Sequence, residues 1–210
     1  MSSIVDSPLI EEELVPKKLK RLLEIEKIFN ASFSDEEFSS IKINGIEFNQ
    51  CSFNKFTISG SNFYNTQFVD IEFNACDFSN STFELCTFVR CRFNNCKLLG
   101  TNVFNCSVHN VSFKCVLSYS NFANNKLKKV LFQDCSINDG RFLENNFLSL
   151  HFKNCNMIGI EFTKCNLKGL DLSTNDIDGI RVNPNDLKGA IVNSYQACLI
   201  VRMLGIIIEG

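Results

Sequence analysis

The sequence of 210 residues contains no tryptophan, three prolines and two histidines, and no apolar run approaches the length that spans a membrane. The acidic stretch IEEEL near the start lacks the basic and then apolar order of a secretory leader. Neither charge dominates, because 21 Lys and Arg against 23 Asp and Glu give a net charge of −2. This balance does not favour nucleic acid or an anionic membrane as a partner. We therefore expect a soluble cytoplasmic protein with no membrane partner and no direct nucleic-acid binding.

Sequence motifs for catalysis are missing as well. The chain contains no phosphate-binding loop, no dinucleotide glycine pattern and no nucleophile motif. His109 and His151 lack cysteines or carboxylates at the spacing of metal ligands, and solvated surface residues are the favoured interpretation. We therefore expect a protein that is not an enzyme and that binds neither a metal ion nor a cofactor.

What the chain does have is a period of five residues. Large apolar residues occupy every fifth position from Phe48 to Phe113, the step shortens once to four at Leu117, and the step of five resumes from Phe122 to Leu187. A helix turns about 140° over five residues and forms no stripe at this spacing. In a flat strand an odd step would send alternate residues to opposite faces. The period instead predicts a solenoid whose chain extends for about three residues, turns a corner and stacks its coils about 4.8 Å apart.

A second line of small or apolar residues runs two positions before the first. Ten of the eleven cysteines belong to this line, and Cys198 is the exception. Because both lines point inward, these cysteines are predicted to fill tight positions of the core. Metal ligation and disulfides are the alternatives, since stacked cysteines are close enough for a disulfide, but Ser, Thr, Val and Ile occur at equivalent positions. The cysteines that stack once per coil are Cys76, Cys96, Cys115, Cys135 and Cys155.

The repeated unit resembles the pentapeptide-repeat proteins: a small residue, a polar residue, Phe or Leu, a polar residue and one further residue. The resemblance implies an all-β solenoid, a right-handed quadrilateral β-helix with four units per coil, in which residues 46–189 make about seven coils. The units place a phenylalanine or another large apolar residue at the centre of each short extended segment. The predicted structural core includes Phe73, Phe78, Phe83, Phe88, Phe93, Phe132, Phe142 and Phe152.

The N-terminal extension, residues 1–40, precedes the regular repeats. Residues 16–29 (PKKLKRLLEIEKIF) are predicted to form an amphipathic helix that covers the open edge of the first coil, and a partner-binding helix is the alternative. Units centred on Phe33 and Phe38 keep the period, but they would turn Glu36 inward. The regular β-helix is therefore expected to begin at Ile41 and to cover residues 41–192.

The C-terminal segment, residues 193–210, is predicted to form a short helix and an apolar tail that needs a partner to cover it. Its pattern of LKG (187–189), YQA (195–197) and LGI (204–206) resembles the quinolone-resistance (Qnr) proteins, as does LSYSNF at 117–122. In that family this end forms a head-to-head dimer, so the resemblance implies a homodimer. Its contact residues would be Tyr195, Leu199, Met203, Leu204, Ile206, Ile207 and Ile208.

The resemblance to Qnr proteins also implies partners. Members are proposed to present a DNA-like acidic surface to DNA gyrase and topoisomerase IV, the bacterial type II topoisomerases, and to protect them from quinolones. Sorting the outward residues by face gives one face an excess of acids, with Lys97 as its one base. The acids predicted to contact a topoisomerase are Asp77, Asp139, Asp176 and Asp178.

Two departures leave an alternative open. The acidic face is a thin imitation of DNA, which has one charge per about 1.7 Å. The period is unbroken from 48 to 113 and shortens at 117, so the two protruding loops of many Qnr proteins are missing and the chain is of a loop-poor type. Topoisomerase binding without protection, or a repeat scaffold for an unrelated protein partner, is therefore the alternative. A second face is basic, with Arg90, Lys126, Lys128, Lys129, Lys168 and Lys188 against Glu47, Asp70 and Asp186.

Overall fold

The structure is a computed structural model that describes residues 4–10, 13–21 and 24–209. Its fold is shaped by a corner in the chain at about every fifth residue. The residue two places after an apolar centre usually adopts a positive φ, from 47° at Asn65 to 68° at Ser149 among the non-glycine residues. Asn, Asp and Gly fill many corners because they tolerate this left-handed conformation best. The corner N–H groups bond to the next coil, as where Asn65 N–H donates to the Glu84 carbonyl at 3.0 Å. Each corner thus turns the chain while its backbone stays hydrogen-bonded.

The extended residues between corners pair in parallel with the next coil. Phe53, for example, lies beside Phe73, twenty positions further along the chain. About eight coils form the right-handed quadrilateral β-helix, which confirms the predicted all-β solenoid. We name its faces by the inward residues that they contain: face A contains Phe53, face B Ile58, face C Phe63 and face D Phe68.

Two large sheets and one small sheet make up the walls. Faces D and A share nine strands that bend through the corner between them. They are β1 (Val15–Pro16), β2 (Lys27–Phe29), β3 (Ala31–Ser34), β6 (Glu47–Asn54), β9 (Gln67–Asn74), β11 (Thr87–Lys97), β13 (Ser107–Val116), β15 (Lys126–Gln133) and β17 (Asn146–Lys153). Face C has eight strands, β5 (Lys42–Asn44), β8 (Asn62–Tyr64), β10 (Thr82–Glu84), β12 (Asn102–Phe104), β14 (Asn121–Ala123), β16 (Arg141–Leu143), β18 (Glu161–Thr163) and β19 (Arg181–Val182). Face B has the pair β4 (Glu37–Ser39) and β7 (Thr57–Ser59), followed by single bridges.

Ladders of phenylalanine rings fill the interior. Rings of successive coils stack, with centroids 4.5 Å apart for Phe73 and Phe93 and 4.7 Å apart for Phe113 and Phe132. Rings of neighbouring faces meet edge to face, as for Phe73 and Phe78 at 5.3 Å and 87°. Each such contact adds about 0.5–1.5 kcal/mol beyond the burial of area. The residues predicted as core are all buried, namely Phe73, Phe78, Phe83, Phe88, Phe93, Phe132, Phe142 and Phe152.

The ten inward cysteines are free and buried, and Cys198 is exposed. Their thiols lie against carbonyls of the preceding coil, as where Cys76 Sγ donates to Phe53 O at 3.3 Å. Burial raises the pKa of the Cys91 thiol to about 12, so this thiol stays protonated at neutral pH. Among the described residues, no three His, Cys, Asp or Glu side chains are placed to hold a metal ion. The inward cysteines pack as small apolar side chains.

The predicted helix over residues 16–29 is wrong. The structure has a 3-10 turn at Leu19–Arg21 and the strand β2 at Lys27–Phe29, while residues 22 and 23 lie outside the described residues. Lys and Leu favour a helix locally, but pairing with the next coil overrides this preference. In that pairing Ile28 lies beside Phe48. The β-helix therefore begins near residue 27 rather than at Ile41, which explains the coil gained over the predicted seven.

Leu19 and Glu36 explain how the first coil is closed. Leu19 is 1 % exposed and packs on the open end of the core, which is the covering role expected of a helix. Glu36 is half-buried, and its Oε1 accepts a hydrogen bond from the Leu19 N–H at 3.2 Å. The Glu36 carboxylate was the reason to expect a later start of the β-helix. It is satisfied by a hydrogen bond from the turn that closes the column.

The four-residue step after Phe113 removes one corner residue. The chain stays extended through β13 to Val116, and the pairing of β11 with β13 shifts between Asn94 and Cys96, so that Cys96 lies beside Cys115. No positive φ occurs between Asn110 and Tyr119. The step is a local tightening of the wall and not a projecting loop.

A polar contact closes the other end. The helix α1 (Ser194–Met203) begins at Asn193, whose side chain and that of Gln196 each accept the other's backbone N–H at 2.9 Å. Gln196 is 2 % exposed, and its Nε2 donates to the carbonyls of Leu172 at 2.8 Å and Asn175 at 2.6 Å. The helix is thereby fixed across the last coils. In the part of the chain that the structure describes, no helix has the length and apolarity needed to cross a membrane.

Candidate interaction surfaces

The four predicted acids of face B lie on one side of the column but not together. Asp77 forms a β-bridge with Thr57 and with Lys97, so its nearest outward neighbour on one side is the one base of the face. Asp139 lies three coils further along, about 14 Å away, and Asp178 lies two coils beyond that, about 10 Å away. Pairs at these separations do not reproduce the dense charge of a duplex.

Hydrogen bonds and one ion pair within the chain occupy three of these carboxylates. The Asp77 carboxylate accepts the Ser79 N–H at 2.9 Å, and that of Asp176 accepts the Asp178 N–H at 3.2 Å. Asp139, at the corner to face C, has Arg181 Nη2 at 3.9 Å from its Oδ1. This ion pair weakens the acidic surface and was not predicted from the sequence.

Face B also carries exposed apolar side chains that sequence reasoning missed. Leu99, Val116 and Ile158 point outward between the acids and are at least two-fifths exposed. Tyr119 is 64 % exposed and occupies a corner at φ 62°, a conformation that a bulky residue rarely adopts. The outward position of these residues in the five-residue unit was the available signal.

Face D presents the predicted basic surface. Lys126, Lys128, Lys129, Lys168 and Lys188 are exposed there, and none of them forms an ion pair with another described residue. Burial lowers the pKa of His109, and the nearby cations Lys128, Lys129 and Arg90 lower it further. Glu47 and Asp70 are paired with Lys27 at 3.0 Å and with Arg90 at 2.6 Å. These acids therefore do not neutralise the lysines.

Apolar residues lie on the outside of face C on both sides of Glu84, which pairs with Tyr64 and with Phe104. Tyr64, Leu85 and Leu143 are each more than one-third exposed, and the half-buried Phe104 lies between them on β12. Parallel pairing places Phe104 beside Ala123, and Ala123 beside Leu143. Exposed apolar side chains on a flat sheet are typical of a protein contact.

Residues 4–10, which we call the N-terminal arm, run along the corner between faces D and A. Asp6 N–H donates to Asn110 Oδ1 at 2.7 Å, and Leu9 N–H donates to Asp70 Oδ1 at 2.9 Å. Ile4 and Asp6 form one wall of a groove of about 560 Å³ on face A, whose other wall contains Arg92, Lys114 and Lys153.

His151, also on face A, lies with Nε2 3.0 Å from Ser149 Oγ, and burial lowers its pKa.

The C-terminal tail exposes most of the residues predicted for dimerisation. Leu199 is half-buried, and the other six are exposed, up to 87 % for Ile207. They extend from the end of the column, beyond the coils that bury the remaining apolar residues. The predicted set is Tyr195, Leu199, Met203, Leu204, Ile206, Ile207 and Ile208.

The comparison with protein families agrees with this architecture. The family model of the pentapeptide repeat region matches residues 66–142 and 106–182, together more than half of the chain. No curated protein matches. Among solved structures, full-length QnrB1, a plasmid-mediated fluoroquinolone resistance protein, is 17 % identical with a TM-score of 0.32, covering 81 % of this chain and 100 % of its own. HetL, a protein involved in heterocyst differentiation in the cyanobacterium Nostoc, is 11 % identical with a TM-score of 0.29, covering 84 % and 96 %. Identities of this size do not assign a function.

Proposed function

Because the chain belongs to the pentapeptide-repeat family, we propose that it is a non-enzymatic protein that binds the bacterial type II topoisomerases, DNA gyrase and topoisomerase IV, as a DNA mimic and modulates them. The observation that carries this proposal is the column of stacked coils with four acids and one base on the outside of face B. A rigid column of stacked coils can occupy a groove shaped for a duplex, since it needs no ordering on binding. The C-terminal resemblance to Qnr proteins supports the choice of partner.

The charge on face B is small, so the contact is expected to depend on all four acids together. Exposed charge pairs contribute about 0.2–1 kcal/mol each. Single changes of Asp77, Asp139, Asp176 or Asp178 to Asn should therefore alter the affinity for gyrase by only about twofold. The quadruple change should weaken binding about tenfold, and salt should weaken wild-type binding more than mutant binding.

The test is a gyrase supercoiling assay across a titration of the protein, with and without a quinolone. Inhibition or protection by the wild type, lost in the quadruple variant, is the expected result. The matched control changes Lys126, Lys128 and Lys129 of face D to Gln and should leave the effect unchanged. Loss of the effect in this control, with the acidic variant fully active, would overturn the DNA-mimic proposal.

We further propose that the protein is a homodimer joined through its C-terminal tails. Ile206, Ile207 and Ile208 place apolar area in water that a second tail would cover. Light scattering at micromolar concentration should give twice the chain mass of 23.8 kDa. The change Ile207→Ser should give the monomer mass, and Leu148→Ser, at an exposed apolar residue on face D, should not. A wild-type mass of one chain contradicts the dimer.

The outward apolar residues on face C favour a second candidate function, a scaffold for an unrelated protein partner. Tyr64, Phe104 and Leu143 resemble the centre of a protein contact more than part of a DNA imitation. If gyrase is unaffected at micromolar protein, this function takes the place of the first. Phe104→Ser should leave a gyrase contact unchanged, so a loss in that variant would place the gyrase contact on face C instead.

A further inference from the structure

Two corner residues of the column, Asp70 and Asn110, are buried, while the other described corner residues are at least partly exposed. Each is 4 % exposed although it lies on the outside of the column. Both lie beneath the N-terminal arm. These corners differ from an ordinary solvated turn because their buried polar groups are hydrogen-bonded to a segment far away in sequence.

The arm is recognised through its backbone and through one carboxylate. Asn110 accepts the Asp6 N–H at 2.7 Å and returns a bond from Nδ2 to the Asp6 carboxylate at 2.8 Å. Two coils away, Asp70 accepts the Leu9 N–H at 2.9 Å. Arg92 Nη2 donates to Ser7 Oγ at 2.6 Å. The two N–H contacts recognise the backbone of the arm, and the bond from Asn110 Nδ2 recognises an acid at the position of Asp6.

The geometry of the column fits this reading. Asn110 and Asp70 belong to coils two apart, a separation of about 9.6 Å. Residues 6 and 9 are three positions apart, which spans about 10 Å in an extended chain. A peptide that runs along the axis therefore meets alternate coils with every third N–H group. The coil between them supplies Arg90, whose two bonds of 2.6 and 2.7 Å hold the Asp70 carboxylate in place.

The arm is held by polar contacts, and its apolar residues Ile4, Val5, Pro8 and Ile10 are only partly buried. Leu9 is 61 % exposed, and the groove of about 560 Å³ beside Ile4 leaves room on face A. The groove wall contains Arg92 and Lys114, each within 3.4 Å of an acid, and Lys153, which has no ion pair in the described part of the chain. Exchange of such bonds with water leaves each one a small net contribution, so the arm can be replaced.

We propose that the corner between faces D and A is a binding track for an extended acidic segment of a protein partner, and that the N-terminal arm is its built-in occupant. The partner segment presents a carboxylate to Asn110 and, three residues later, a free N–H to Asp70. The arm competes as a tethered ligand at an effective concentration on the order of millimolar. This surface is separate from face B, and the proposal does not depend on topoisomerase binding.

The test uses a fluorescent peptide with the sequence of residues 4–10, IVDSPLI, and the full-length chain. In wild type the arm occupies the track, so the peptide should bind weakly. The change Asp6→Ala in the full chain loosens the arm and should tighten peptide binding about tenfold. Adding Asn110→Ala should abolish this gain. Adding Asn105→Ala instead, at an exposed corner between faces C and D, should preserve it.

A peptide with Ala in place of its Asp separates recognition from folding. It should bind the Asp6→Ala chain at least about tenfold more weakly than IVDSPLI does, because the charge-assisted bond to Asn110 is lost. This comparison holds even if the Asn110 variant proves unstable in chemical denaturation. Equal binding of the peptide to wild type and to the Asp6→Ala chain, or equal binding of the two peptides, would overturn the proposal.

Discussion

The two ends of the column are closed in different ways. At the N-terminal end an apolar side chain, Leu19, covers the rings of the first coil, and the backbone N–H of the same residue satisfies Glu36. At the C-terminal end a polar side chain, Gln196, bonds to two carbonyls of the last coils. The first end is thus closed by apolar contact and the second by hydrogen bonds.

The two ends also differ in the apolar area that they leave exposed. Residues 15–17 extend the sheet at the first end, where Val15 and Lys17 N–H groups donate to carbonyls at 2.9 Å. At the last end the tail beyond α1 points apolar side chains outward, with Ile207 the most exposed. Closing a solenoid therefore takes only a few residues, and the apolar area left over indicates which end associates.

The interior supplies the reference against which both ends can be measured. Phe88→Ala removes a ring that stacks on Phe68 at 4.9 Å and touches Phe83 and Phe93. We expect the free energy of unfolding in chemical denaturation to fall by about 3–5 kcal/mol. A loss below about 1 kcal/mol would mean that the ladders do not hold the column together.

Leu19→Ala should have the next largest effect, a loss of about 2–3 kcal/mol in the free energy of unfolding. The loss is smaller than in the interior because an end can relax around the missing side chain. Leu9→Ala, at an exposed leucine of the arm, is the control and should change stability by less than about 0.5 kcal/mol. Equal effects of the two changes would show that Leu19 does not close the first coil.

Gln196→Ala should cost less than the loss of Leu19, about 1–2 kcal/mol, since the carbonyls of Leu172 and Asn175 would lose their donor but could recruit water. Gln67→Ala on face D, where the side chain is exposed, is the matched control with little expected change. A loss as large as that at Phe88 would place Gln196 among the core residues and remove the contrast between the ends.

Thiol labelling should separate the column from the C-terminal end without altering stability. In the native protein at pH 8, Ellman's reagent should titrate Cys198 rapidly, while the ten buried cysteines react slowly. The raised pKa of Cys91 adds to this protection, because its reactive thiolate forms only at higher pH. Denatured protein should give eleven thiols, and a lower count would indicate disulfides or bound metal.

The parts of the fold that were predictable follow from the period. Phe73 and Phe93 stack because every inward residue meets its counterpart one coil away, so a local pattern fixes a long-range contact. The same periodicity identified the inward cysteines. The start near residue 27 was missed because a single inward acid, Glu36, was weighed without the N–H that satisfies it.

The contacts that were not predictable have no period. Asp6 meets Asn110 across 104 positions, and Leu9 meets Asp70 across 61, each through one side chain. Arg181 approaches Asp139 across a corner that sorting by face treats as a boundary. Surfaces depend on such individual side chains, whereas the core depends on the repeat.

The N-terminal arm also affects the mechanical unfolding of the column. In a solenoid each coil contacts only its neighbours, so it can peel away one coil at a time from either end. The arm joins coils that are not neighbours, because it bonds to Asp70 and Asn110 while β1 pairs with β3 at the first coil. Pulled from its two termini, the chain should first release the arm and then extend by about 65 Å for each coil of twenty residues. In the described coils beyond the arm, the resistance to unfolding under force comes from the contacts of each coil with its nearest neighbours.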